Sequence, residues 1–164
     1  HGNLPVACDR MSELISRFIL RPYWRLTRAM TLGVRGIVRD GDGGILLVRH
    51  SYTPGWHLPG GGVERGETMK YALHRELQEE GGVEPLGEPR LHGIFANRNF
   101  SGDHVAVFVV SEWRGVAHSH GREITDCGFF PLDALPDDVT EGTKLRLAEV
   151  FSGVPVSEYW SESV

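Results

Sequence analysis

The sequence predicts an α/β sandwich, and three observations predict it. Short runs rich in valine and isoleucine recur along the chain, at Thr31–Arg39, Ile45–Arg49 and His104–Trp113, each bounded by glycine, aspartate or polar turn residues. Between them, Thr68–Glu80 contains no proline or glycine and consists mostly of good helix formers. A second helical pattern closes the chain at Thr143–Phe151. Strands and helices that alternate in this way pack as helices on a sheet. A length of 164 residues fits one such domain.

The elements follow in order. The chain starts at His1-Gly2, so residues 1–10 read as added ahead of a natural start at Met11. Residues 1–29 form an N-terminal extension, helical over 11–29 and interrupted by Pro22, and residues 30–164 form the main domain. Leu14, Ile15, Phe18 and Ile19 make a short apolar stripe, with Arg17, Arg21, Arg25 and Arg28 on another side. The stripe suits packing on its own domain or on a second subunit, as in a homodimer. Contact with an anionic membrane is the weaker alternative and stays open. Thr31–Arg39 and Ile45–Arg49 are expected to pair as a hairpin across Asp40-Gly41-Asp42-Gly43-Gly44. That turn lacks the closing glutamate of a calcium loop, because Ser51 falls there. Arg90–Asn97 and Cys127–Phe130 read as further strands. His104–Val110 is almost continuously apolar, as in a strand buried on both faces.

Composition removes several function classes. The chain is 40% hydrophobic and 24% charged with a net charge of −5, which argues against a stable, non-specific nucleic-acid partner. Cys8 and Cys127 have no partner pattern, so neither a disulfide framework nor a zinc site is expected, and a cytoplasmic setting is the simpler expectation. No apolar run is long enough to span a bilayer.

The informative stretch is residues 56–83. Trp56-His57-Leu58-Pro59-Gly60-Gly61 leads into a helix on which Glu76, Glu79 and Glu80 lie at i, i+3 and i+4, on one face. Like charges packed in this way repel unless a cation sits among them, and a hard divalent ion takes oxygen ligands. Leu73 and Leu77 can anchor the helix on a core. Gly61, Glu67, Arg75, Glu76, Leu77, Glu79, Glu80, Gly82 and Val83 fall in register with G-x5-E-x7-R-E-U-x-E-E-x-G-U, where U is a bulky aliphatic residue. The stretch resembles the Nudix hydrolase signature, and the order of elements from about Thr31 to Ser152 is similar to that family. The resemblance implies a Nudix-type α/β/α sandwich with a mixed central sheet. It also implies hydrolysis of the diphosphate bond of a nucleoside diphosphate linked to another moiety, such as a nucleotide sugar, ADP-ribose, a dinucleotide or a nucleoside triphosphate.

That chemistry explains the residues. A diphosphate is polyanionic, and divalent ions, Mg²⁺ or Mn²⁺, would neutralise it and lower the pKa of a bound water. The metal-ligand candidates are Glu76, Glu79 and Glu80, to which the resemblance adds the backbone carbonyl of Gly61. Glu67 and Arg75 are expected to pair and orient the carboxylates. The general base stays open between Glu79 or Glu80 and, as in parts of the family, a glutamate on a later loop, here Glu123. Arg35, Arg49 and Arg98 are candidates for phosphate, Asn97 and Asp103 for base or sugar, and Trp56 and Phe100 for stacking a base. His118 and His120 read as a solvated loop, and His74 as surface. The rival reading is a nucleotide-sensing module without turnover, which would not require all three glutamates. Isomerase or DNA-repair chemistry is less suited to a short single domain.

Overall fold

A computed structural model of the chain describes residues 29–117 and 123–162. The chain divides into His1–Met30 and Thr31–Val164, and every element below belongs to the second unit. The helical extension expected before Met30, the start at Met11, and the loop histidines His118 and His120 lie outside the described residues. In chain order the elements are β1 (Thr31–Val38), β2 (Gly44–His50), β3 (Trp56–His57), α1 (Met69–Gly81), β4 (Val83–Pro85), β5 (Arg90–Ala96), β6 (Asp103–Val110), β7 (Trp113–Gly115), β8 (Ile124–Pro131) and α2 (Glu141–Phe151).

The strands β1-β6-β5 make a mixed sheet. β1 runs parallel to β6, with Thr31 opposite Asp103, and β5 runs antiparallel to β6. The strands β3-β2-β8 make a second, antiparallel sheet, and β4 pairs with β7. The hairpin expected between β1 and β2 does not form, and the two strands enter different sheets, meeting at the bridge Arg39↔Ile45. Both edges of β1 are taken. β6 occupies one, and residues 59–63 occupy the other, where Val34 N–H donates to Gly61 O at 2.8 Å, Gly36 N–H to Pro59 O at 2.9 Å and Val63 N–H to Leu32 O at 2.8 Å. The pairing stops at the turn itself, which closes through the backbone, Asp40 N–H donating to Gly44 O at 2.9 Å, and on its own side chain, with Asp40 Oδ1 accepting from the N–H groups of Asp42 and Gly44. The run expected as one strand to Trp113 breaks after Val110, because β7 leaves to pair with β4.

Period-2 alternation divides the interior. Val34, Val38, Leu46, Ala106, Phe108 and Val110 point to one side and pack with Ala72, Leu73 and Leu77 of α1. Ile37, Ile45, Leu47, Val105 and Val107 point to the other and pack with Leu147 of α2, Phe95 and Trp56. The sheets therefore lie between the two helices. Gly36 allows the close approach of α1, since a Cβ there would lie 3.0 Å from Leu77 Cδ2.

α1 starts at Thr68, whose Oγ1 accepts from Tyr71 N–H at 3.1 Å, and stops at Gly82 in the left-handed conformation. On α2, Arg146 is fully buried over the ring of Phe95 and donates to Glu149 Oε1 at 2.7 Å and to Tyr159 O at 3.1 Å. Glu149 also lies 2.7 Å from His92 Nε2 and accepts from Ser157 N–H. This buried cluster holds the C-terminal segment on β5, where Ala96 and residues 158–160 exchange backbone hydrogen bonds and cover the strand's free edge. No helix among the described residues is long and apolar enough to cross a membrane.

Candidate active site

The site is built where the pinned turn 59–63 meets α1. Gly60 has φ 141°, and a Cβ there would meet Val34 O at 2.0 Å, so the turn at this point admits only glycine. Held in this way, Gly60 N–H donates to Glu80 Oε2 at 2.8 Å. Arg35 reinforces the turn from β1, its Nη1 donating to Leu58 O at 3.2 Å and to Gly60 O. At Gly61 a Cβ would meet Glu76 Oε1 at 2.4 Å, so the missing side chain leaves the space that the Glu76 carboxylate fills. Arg75 ties these parts together. It donates to both oxygens of Glu67, Nε to Oε1 at 2.9 Å and Nη2 to Oε2 at 3.0 Å, and also to Glu76 Oε1 at 2.7 Å and Gly62 O at 3.1 Å. The bidentate hold keeps the Glu67 carboxyl below its ordinary range, and the Glu64 N–H adds to the effect.

A cleft of about 390 Å³ opens over this arrangement, lined by Arg35, Tyr52, Gly61, Glu76, Glu80 and Glu123 among others. Glu80 is buried in its lining. Burial pushes its carboxyl up to about 7, with Glu76 and Glu123 adding like-charge repulsion, against the opposing pull of Gly60 N–H and Arg35. A carboxylate so placed is one that a cation would favour in its ionised form.

The other candidates fall elsewhere. Glu79 shares the helix, but its side chain is 64% exposed and lies 3.8 Å from Arg75. It lines an outer groove of about 650 Å³ with Tyr71, His74 and Gln78. Trp56, expected to stack a base, is 7% exposed, packs edge-on to Phe130 in the core and lies beneath Arg49, so its ring has no free face for one. Arg49 pairs with Asp138 at 2.6 Å and lies over Trp56, outside the cleft lining. Asn97 donates to Asp103 Oδ2 at 3.0 Å while Thr31 donates to Oδ1 at 2.7 Å, so Asp103 reaches the cleft with both oxygens engaged. Arg98 lies 3.8 Å over the Tyr159 ring, and Phe100 is 68% exposed on its loop. Sequence reasoning missed Tyr52 and Gly60. The Gly60-Gly61-Gly62 run was a usable signal for the second of these.

Among the described residues no three His, Cys, Asp or Glu side chains converge closely enough to enclose an ion by themselves. The donors present still suit Mg²⁺ or Mn²⁺. Glu76 and Glu80 offer hard oxygens on one wall, Glu123 lines the same cleft, and the space that a Cβ would fill at Gly61 brings Glu76 onto the loop. Mg²⁺ is commonly held by one or two carboxylates together with substrate phosphates. The Gly61 carbonyl already accepts from Val34 N–H and has its second lone pair for a further contact.

The NUDIX domain profile matches residues 30–150. An ADP-ribose pyrophosphatase of Methanocaldococcus jannaschii is 31% identical over 129 residues, which is 76% of this chain and 75% of that protein. A putative 8-oxo-dGTP diphosphatase of Bacillus subtilis is 29% identical over 123 residues, 75% of this chain and 81% of that protein. Among solved structures, the MutT NUDIX hydrolase of Burkholderia pseudomallei superposes with a TM-score of 0.64 at 28% identity, covering 73% of this chain and 97% of its own.

Proposed function

The chain belongs to the NUDIX family and is a pyrophosphohydrolase, and from that premise we propose a Mg²⁺- or Mn²⁺-dependent enzyme that cleaves the diphosphate bond of a nucleoside diphosphate linked to another moiety. Nucleotide sugars, ADP-ribose, dinucleotides and nucleoside triphosphates make up the substrate class. The relatives' names, ADP-ribose pyrophosphatase and putative 8-oxo-dGTP diphosphatase, put two of these first in a trial.

The observation that carries the reading is the buried Glu80, held by Gly60 N–H at 2.8 Å beside Glu76 on the wall of a polar cleft. In this reading Glu76, Glu80 and the Gly61 carbonyl would hold the divalent ion, and Glu79 is the further candidate ligand on the same helix. The ion supplies charge neutralisation and a more acidic water. Glu67 and Arg75 fix the loop against α1. Arg35 orients the 58–60 carbonyls and adds positive charge beside the diphosphate. Glu123 and Glu79 are the candidate bases, free of the Gly60 bond that restrains Glu80. Tyr52 replaces Trp56 as the aromatic within reach of a base, because it is 68% exposed and lines the cleft.

The test is product analysis. The full chain is incubated with Mg²⁺ and a panel of nucleotide sugars, ADP-ribose, dinucleoside polyphosphates, and ordinary and oxidised nucleoside triphosphates. Paired phosphate products that vanish with Glu80→Gln support the proposal. Tight nucleotide binding without cleavage of any panel member, with either ion, supports a sensing module instead.

A further inference from the structure

His50 ends β2 at a β-bulge in its pairing with β8, the kind of irregularity that often sits beside active sites. It lies on the same strand face as Leu46 and Val48, toward α1. The residue is 6% exposed and neither ring nitrogen has a hydrogen-bond partner. Its Nδ1 lies 3.6 Å from Glu80 Oε1, too long for a hydrogen bond but short of one by well under an ångström. The aromatic neighbours Tyr52 and His57, with ring centroids 5.1 and 5.4 Å away, pack about the imidazole. A buried imidazole left without a partner has given up water without regaining a hydrogen bond. Glu80 Oε2 already takes Gly60 N–H, while Oε1 faces His50. Carboxylates that hold a metal are commonly fixed by a hydrogen bond from behind.

We propose that His50 is a positioning residue for Glu80: its Nδ1–H closes onto Oε1 when Glu80 takes up a divalent ion, which fixes the carboxylate between two donors and strengthens ion binding. The inference rests on the metal-dependent reading of the site. Core packing alone would not need a polar ring here, since an apolar side chain would fill the space without an unsatisfied nitrogen.

The readout is Mn²⁺ affinity of the full chain, measured by electron paramagnetic resonance without substrate. His50→Phe keeps a planar, slightly larger ring and removes the donor, and Mn²⁺ binding should weaken about ten- to hundredfold. His50→Asn places an amide near the Nδ1 position and should restore most of the affinity. Equal affinity for wild type and His50→Phe, or equal losses in the Phe and Asn variants, overturns the proposal. Wild-type protein labelled with ¹⁵N-histidine gives a check that needs no variant: saturating Mg²⁺ should move the His50 Nδ1 resonance toward a hydrogen-bonded donor, and an unmoved resonance counts against the idea. If wild type binds no divalent ion, the metal-dependent reading falls together with this one. If wild type hydrolyses its substrate and His50→Phe binds Mn²⁺ normally, this inference alone falls.

Discussion

Gly60 and Glu80 meet by a single hydrogen bond, from the backbone N–H to the side-chain Oε2 at 2.8 Å, made from a turn in which Gly60 holds a φ of 141°. Gly60→Ala would place a Cβ 2.0 Å from Val34 O. The variant should lose on the order of 3 kcal/mol of stability, from overpacking and backbone strain together. Urea unfolding checks this, and a loss below about 0.5 kcal/mol, the scale of an ordinary surface change, would mean that the turn is not pinned as described.

Arg75 makes a planar fork with both oxygens of Glu67 and reaches Glu76 with its remaining nitrogen. Lysine keeps the charge and cannot reproduce the fork. Arg75→Lys should lower turnover about ten- to hundredfold through misplaced Glu76, the scale seen when partners of metal ligands are lost. Steady-state kinetics on any cleaved substrate test it, and unchanged kcat/KM would leave Arg75 a structural role only.

Glu80→Gln removes a carboxylate whose burial works against its ionised form. Turnover should fall about a hundredfold or more. The metal-free variant should be at least as stable as wild type at pH 8, since the amide keeps the Gly60 bond without a buried charge. With Mg²⁺ at a hundred times its Kd, wild type should gain about 2.7 kcal/mol and the variant much less. Thermal melts with and without chelator separate these outcomes, and full activity of wild type in excess chelator would remove the metal from the mechanism.

His57 is half-buried, and burial first, then the Arg35 guanidinium, lower its pKa below 6.5, against a smaller opposing effect from Pro54 O. Arg35 on β1 and His50 on β2 are the charged and titratable groups that face it. A histidine depressed in the folded state contributes stability that is present above the unfolded value and is lost as pH falls below it. Wild type should therefore lose more stability between pH 7.5 and 5 than His57→Gln does. Parallel pH profiles for the two proteins would show that His57 is not responsible.

Local features of the site were legible because helix physics is local. α1 spans Met69–Gly81, within a residue of the expected Thr68–Glu80, and the spacing of Glu76 and Glu80 put both on the face that meets the cleft. Spacing did not reach as far as side-chain torsion, so Glu79 could be placed on the helix but not known to turn outward to 64% exposure. Nor did it reach across the chain. Trp56 looks like a stacking residue beside a glycine loop until Phe130, on a distant strand, covers it. His50 reads as an unremarked end of a strand, and its proximity to Glu80 exists only once β2 packs behind α1. The misplaced β1–β2 hairpin has the same origin. Two adjacent strand patterns and a turn predict pairing, but nothing local reveals that residues 59–63 have claimed the edge.

The alternating sides of β1 and β6 have a further consequence, one of independent change. Residues that point toward α1 and residues that point toward α2 share a backbone but not a packing volume. Losses on the two sides should therefore add. Leu77→Ala and Leu147→Ala, each expected at about 2–5 kcal/mol, should combine with little interaction energy, whereas Leu77→Ala with Leu73→Ala should not. A chain built in this way can alter the wall formed by α2 and the C-terminal segment, generation by generation, while the helix that carries Glu76 and Glu80 keeps its own support untouched.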